Sequence, residues 1–471
     1  MTVNSTPLWQ RLIWTVLFLL VCEGALRKWV FPGFQAQIYL IKDGLLFVAY
    51  LAFFISRLPA GVHLKVMTGL KSLLTLSLVY FTLQLFNPNS PSLLLSFVGF
   101  KNYLLYPPLA FVVPYMFSSS TDLENKLRRY ALIMIPFAAL GLVQFALGPD
   151  HWINGYLSHD SENLRQAAMF GTAEFTKART SGTFSYVSGF ATFLTVLFCL
   201  GVGLATTHKW RISGNSWALL LLGVTTAAIF TTGSRGPIYG LIITSPLMFF
   251  IWRMGGLISL KTALRIGVAL AIVSAAVTLI ASNAIEAYNY RAEHSDDPIV
   301  RIFSPVTEAY GVLFLAPVIG AGMASTASSA ITIVGTDSWW WLQGVFVESE
   351  TARVLQETGI IGFILIYAAR AWLLIKAITL GIQFRTPIYV AMSGVIAAFF
   401  TQFAVGTVIN NPTAGIYYWF SAGLLFAMYR LEVLEARAPA GLGTHQVNKA
   451  SGARELARPV GASGQLGIPL V

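Results

Sequence analysis

Between residues 8 and 429 this chain is a succession of apolar runs, and most are close to the length that crosses a lipid bilayer. A helical span needs about 20 apolar residues. Runs of this kind occupy 8–26, 38–55, 68–86, 93–117, 130–147, 184–206, 217–232, 237–252, 266–281, 358–378, 388–408 and 414–429. On length they amount to about twelve transmembrane helices. Only 11% of the residues are charged and 56% are hydrophobic, whereas a soluble domain carries about 25% charge. Such a chain cannot cover itself for water. A β-barrel would alternate apolar and polar residues in short segments, so the expected fold is all-α, a polytopic integral membrane bundle.

Basic residues in the short connections orient it. With the N-terminus cytoplasmic, the inner connections hold Arg57, Lys65 and Lys71; Lys126, Arg128 and Arg129; Lys209 and Arg211; Arg253, Lys261 and Arg265; and Lys376 and Arg385. The short outer connections 87–92 and 410–413 hold none. Topology therefore accounts for most of the net charge of +11, which carries no implication of nucleic-acid binding. Both termini are expected to be cytoplasmic. Cys22 and Cys199 lie inside apolar runs and indicate no disulfide framework. The first run has no basic region ahead of it and no small-residue cleavage site after it, so it reads as a retained helix.

One transmembrane domain, residues 1–430, is expected. Two long polar loops, 148–183 and 283–357, fall on its outer side. Within the second, 310–317 is apolar but too short to span, and Trp339-Trp340-Trp341 fits an interfacial belt. The tail 431–471, rich in Ala, Gly and Pro, reads as a disordered cytoplasmic end.

Basic groups on the outer side are the informative ones, because topology does not ask for them. Arg27 and Lys28 follow the first run, with Glu23 one turn earlier and Lys42 and Asp43 at the start of the second; a structural ion-pair cluster is one reading of these. Lys101 lies inside its run, where a lysine either lines a polar cavity or snorkels outward. Arg179 opens Arg179-Thr180-Ser181-Gly182-Thr183-Phe184, and Arg235 sits in the turn Gly233-Ser234-Arg235-Gly236. Each reads as an arginine before a helix N-terminus, a place that favours an anion such as phosphate. The string Glu348 to Glu357 carries both signs. A helix starting near Glu350 would put Glu350, Arg353 and Glu357 on one face, either as a salt-bridged helix start or as an anion-binding arginine beside a basic glutamate. No zinc-binding His-Glu-x-x-His helix and no phosphate loop of the Gly-Lys-Ser/Thr type is present.

Several stretches resemble the O-antigen ligase and O-antigen polymerase superfamily, in its exopolysaccharide-cluster branch. They are Glu23-Gly24-Ala25-Leu26-Arg27-Lys28-Trp29, Tyr39-Leu40-Ile41-Lys42-Asp43, Lys101-Asn102-Tyr103-Leu104-Leu105-Tyr106-Pro107, Arg179 to Phe184, Gly233 to Gly236, and Glu348 to Gly362. The resemblance implies about a dozen helices in a GT-C-like polymerase/ligase architecture with a large periplasmic loop, in the bacterial inner membrane. It implies metal-independent glycosyl transfer from an undecaprenyl-diphosphate-linked glycan, with no cofactor. Membrane lipids would be its surroundings, and a flippase and a chain-length regulator its pathway partners. Arg179 and Arg235 match the arginines that engage the lipid diphosphate, Arg353 matches more loosely, and Lys101 and Arg27 would be auxiliaries. Ligases proper carry a histidine before the late helix; this chain has Glu348 and Glu350 there, which points to a polymerase-like role with a glutamate as catalytic base. A glycan or small-solute transporter is the competing class, and a non-catalytic assembly subunit a third. A carrier would place its charges near the bilayer midplane and show two matching halves, neither of which is evident.

Overall fold

The computed structural model describes residues 6–56, 64–157, 164–165, 168–171, 176–207, 216–259, 261, 298–327, 330, 333–335 and 347–437. Helix α1 is Leu8–Ala25, prolonged by one π-helical turn, Leu26–Val30. The others are α2 Gln35–Ile55, α3 Thr68–Gln84, α4 Leu93–Leu104, α5 Leu109–Val112, α6 Ser120–Leu147, α7 Val187–Thr207, α8 Ser216–Thr231, α9 Arg235–Met254, α10 Pro298–Leu313, α11 Glu350–Gln383, α12 Pro387–Gln402 and α13 Pro412–Arg437.

Among the described residues, six helical stretches are long and apolar enough to cross a membrane: Pro32–Ile55, Lys65–Gln84, Ser120–Leu147, Val187–Thr207, Arg235–Met254 and Glu350–Gln383. Trp217–Thr231 and Pro387–Gln402 are apolar but shorter. The chain is a mostly helical protein compatible with multiple membrane passes, with six qualifying spans where twelve were expected. Part of the difference is physical. The run 93–117 is not one helix: α4 stops at Leu104, ahead of Pro107 and Pro108, and α5 gives way to a 3-10 turn, Val113–Tyr115, at Pro114. The run 388–408 leaves helical geometry after Gln402. The run 266–281 lies outside the described residues, as do Trp339–Trp341. At the other end α13 continues to Arg437, past the expected boundary at 430.

The core sits on α12 and α13. Every residue of α12 from Ile388 to Phe400 is buried, as suits a helix that is apolar on all sides. Helices α7, α9 and α11 pack around α12, and α13 packs on α5, α7 and α12. The outer helices turn apolar side chains outward, Phe54, Ile55 and Phe86 among them, as a lipid-facing surface does.

Two features depart from plain helices. The loop 148–183 folds as two short antiparallel hairpins: Tyr156–Leu157 with Leu164–Arg165, and Met169–Gly171 with Thr176–Ala178. Helix α11 is two segments joined at Gly359, whose φ of 66° and ψ of −172° break the helix; only glycine occupies that region readily. The chain reverses there. A first segment, Glu350 to Thr358, rises to the apex at Gly359, and the longer segment descends from it.

Candidate functional site

The segment 179–185 is where α1, α6 and the turn before α9 converge. Gly24 of α1 lies so close to the backbone of Thr183, Phe184 and Ser185 that a side chain there would collide with it. Gln144, fully buried near the end of α6, accepts from the Gly182 N–H at 2.7 Å and donates to the Gly182 carbonyl at 3.1 Å. The Thr180 and Thr231 hydroxyls meet at 2.7 Å, and the Thr180 N–H donates to the Thr231 carbonyl. Arg179 completes the link to the next turn: its Nε donates to the Thr232 carbonyl at 3.1 Å and its Nη2 to the Ser234 hydroxyl at 3.0 Å. The two arginine motifs of the sequence are thereby brought together, with Arg235 following Ser234 as the first residue of α9. Arg179 itself does not start a helix, since α7 begins eight residues later, at Val187. The turn before Arg235 is as expected.

Four cations from α1, α2 and α4 join this segment. Lys28 donates to the Ser181 hydroxyl and the Gly182 carbonyl, each at 3.0 Å, and burial pushes its ammonium down to a pKa of about 7. Arg27 donates to the Ser185 hydroxyl and pairs with Glu23 at 3.2 Å. Glu23 also pairs with Lys42 at 2.8 Å, and Lys101 pairs with Asp43 at 2.8 Å. The Tyr39 ring lies under three of these groups, with Arg27, Lys42 and Lys101 at 5.5, 3.7 and 4.7 Å from its centroid; cation–π attraction holds charges there. Lys101 therefore neither snorkels nor stands alone. The ion-pair cluster forms, and among the described residues its four cations face two carboxylates, Glu23 and Asp43.

Three buried polar atoms at this junction have no hydrogen-bond partner among the described residues: Arg27 Nε, Trp29 Nε1 and Thr183 Oγ1. Two of them can only donate and the third can. A buried donor without an acceptor costs about 1–3 kcal/mol. Surplus positive charge beside unused donors is the electrostatic form of an anion site.

The charged string takes a different role from the one expected. Glu350 is 1% exposed. Its Oε1 pairs with Arg370, and its Oε2 accepts the N–H groups of Val408, Ile409 and Asn410 at 2.7, 2.7 and 3.4 Å. Both oxygens are committed, so Glu350 anchors its helix and is not placed as a base. Nine residues at 1.5 Å each put it about 13 Å below Gly359, level with Arg370 about 16 Å down the descending segment. Glu357 is also fully buried, accepting from the Tyr103 hydroxyl at 2.7 Å and from the Thr326 hydroxyl and N–H. Arg353 is engaged in its own segment, where its Nε donates to the Val347 carbonyl at 3.2 Å, and it shares no hydrogen bond with the junction among the described residues. Glu350, Arg353 and Glu357 thus form no common functional face. Glu348 keeps an exposed side chain, while its N–H and that of Ser349 donate to Glu308 of α10 at 3.0 and 2.8 Å.

Helix α4 joins the two regions. Lys101 and Tyr106 bond Asp43, the latter at 3.0 Å, while Tyr103 bonds Glu357. Sequence reasoning passed over Gln144, Glu308 and Arg370, and gave Tyr103 and Tyr106, though part of a quoted stretch, no role of their own. Only Arg370 carried a usable signal, a lone arginine inside the apolar run 358–378, where an unpaired charge is untenable. No family model and no curated protein matches the chain.

Proposed function

We propose that this protein transfers glycan units on the outer face of the bacterial inner membrane, with both termini cytoplasmic, using an undecaprenyl-diphosphate-linked oligosaccharide as donor and polymerising or ligating it in O-antigen or exopolysaccharide synthesis. The observation that carries this reading is the cationic junction of Arg27, Lys28, Lys42, Lys101, Arg179 and Arg235, with buried donors that lack acceptors. A diphosphate supplies the missing acceptor oxygens. Guanidinium groups stabilise its developing charge as the glycosidic bond breaks, without a metal. In the reaction an acceptor hydroxyl attacks the anomeric carbon, the bond from that carbon to the diphosphate breaks, and undecaprenyl diphosphate leaves. The hydroxyl proton passes to Glu348, the carboxylate of the string that remains exposed, with Arg353 beside it. The lipid-facing helices give the polyprenyl tail a lateral approach, and a flippase and a chain-length regulator are the proposed pathway partners.

A non-catalytic subunit of a polysaccharide assembly machine is the second reading, favoured by one observation: Glu350, the first choice of base, is wholly committed to its partners. Incubating the purified protein with a lipid-linked repeat unit separates the two. Longer products that depend on Arg179 and Arg235 support transfer. Unchanged products from well-folded protein, together with unaltered polymer length in cells carrying Arg179→Ala and Arg235→Ala, would overturn it.

A further inference from the structure

Two partly open pockets of similar size differ in chemistry. One, of about 60 Å³, lies among Trp14, Cys199, Met392, Phe399, Tyr417 and Phe420. The Tyr417 hydroxyl there is already paired with that of Tyr130 at 2.6 Å. The other, of about 40 Å³, is lined by Ser77, Asn102, Tyr103, Tyr106, Arg370 and Tyr418 among others. Size alone admits water to both, since one water needs about 10–15 Å³ measured in this way. Polar partners decide, because a cavity without them stays dry.

The second cavity has them. Tyr418 is fully buried, and its hydroxyl has no hydrogen-bond partner among the described residues. Arg370 spreads one guanidinium nitrogen over the carbonyls of Phe403, Ala404 and Gly406 at 3.3–3.4 Å, contacts longer than the usual hydrogen bond. Tyr367, with the Arg370 guanidinium 5.0 Å from its ring centroid, also has a hydroxyl with no partner. Three lining residues each hold a different buried carboxylate: Tyr106 holds Asp43, Tyr103 holds Glu357 and Arg370 holds Glu350.

We infer that this cavity is a water-binding site: an ordered cluster of roughly two to four waters, by its volume, bonds the Tyr418 hydroxyl and Arg370 and fills the space between the three carboxylate-holding side chains. The apolar cavity is dry. The inference stands apart from the proposed glycosyl transfer, since it concerns hydration alone.

Radiolytic hydroxyl-radical labelling, read residue by residue by mass spectrometry, tests it on the full-length protein in detergent. Radicals form where water is bound, so Tyr418 should be labelled although it is fully buried. Met392 and Cys199, more reactive side chains in the apolar cavity, should not be. Thermal unfolding of Tyr418→Phe gives an independent sign. If waters satisfy the hydroxyl, removing it strands them and lowers the midpoint by a few degrees. If the hydroxyl is dry and unpaired, removing it relieves a buried polar group, and the variant melts at the same or a higher temperature. An unlabelled Tyr418 overturns the inference, and so does a Tyr418→Phe variant as stable as the parent.

Discussion

Neutralising Glu350 separates an anchor from a catalytic base. Glu350→Gln keeps the side-chain shape and removes the charge. It leaves the Arg370 side chain, 4% exposed, without a compensating charge, with at most a neutral amide oxygen and three long carbonyl contacts as partners. Removing one partner of a buried ion pair costs about 3–5 kcal/mol, because the other charge is left uncompensated. For a chain of 471 residues that corresponds to a fall in melting midpoint of about 3–5 °C. Arg370→Met should cost a similar amount, since it strands the carboxylate. The double variant Glu350→Met/Arg370→Met buries no charge and should lose clearly less than the two single losses combined, as coupled neighbours do. It does not return to the parent's stability, because the N–H groups of Val408 and Ile409 lose their acceptor. The assay is thermal unfolding of purified protein in detergent, with glycan transfer measured on the same samples. A Glu350→Gln protein that melts with the parent yet transfers nothing would refute the anchor and restore Glu350 as a proton acceptor.

Other outcomes follow from the same geometry. Gly359→Ala must hold an alanine at φ 66° and ψ −172° with its Cβ driven into the Val318 carbonyl; it should lose at least about 1–3 kcal/mol, read as a lower melting midpoint. Gly24→Leu should push α1 off the 183–185 backbone and weaken pyrophosphate binding measured by calorimetry, even where the protein still folds. Lys28 has a folded pKa near 7 against an ordinary 10.5, so between those values the unfolded chain binds more protons at this site. Its contribution therefore makes stability rise with pH above 7; melting curves from pH 7 to 9 should show this slope, and Lys28→Met should flatten it. Lys101→Met leaves Asp43 with the Tyr106 hydroxyl and the distant Lys42 at 4.0 Å, and should destabilise by about 1–3 kcal/mol through the buried carboxylate.

The membrane class was legible because it depends on composition and run length, which no tertiary contact can reverse. The number of spans was less so. Proline at 107, 108 and 114 cuts one run that hydropathy reads as continuous, and hydropathy is blind to the backbone break at Gly359. The basic motifs were readable one by one, since a cation in an outer connection stands out against the topology rule. Their convergence was not, because it is made by neutral residues with no sequence signal: Gln144 holding Gly182, Thr180 meeting Thr231, Gly24 admitting the 183–185 backbone.

The string Glu348 to Glu357 shows where such reading fails and why. Charge at the edge of an apolar run looks like a helix cap at the membrane surface. The reversal at Gly359 instead folds Glu350 down beside Arg370, eleven residues past the apex, and one buried pair absorbs the charge that looked available for chemistry. Arg370 was the clue. A lone arginine deep in a span needs a carboxylate, and the string just ahead of the same apolar run holds Glu348, Glu350 and Glu357 as candidates. Pairing buried charges before assigning roles would have given Glu350 to the fold.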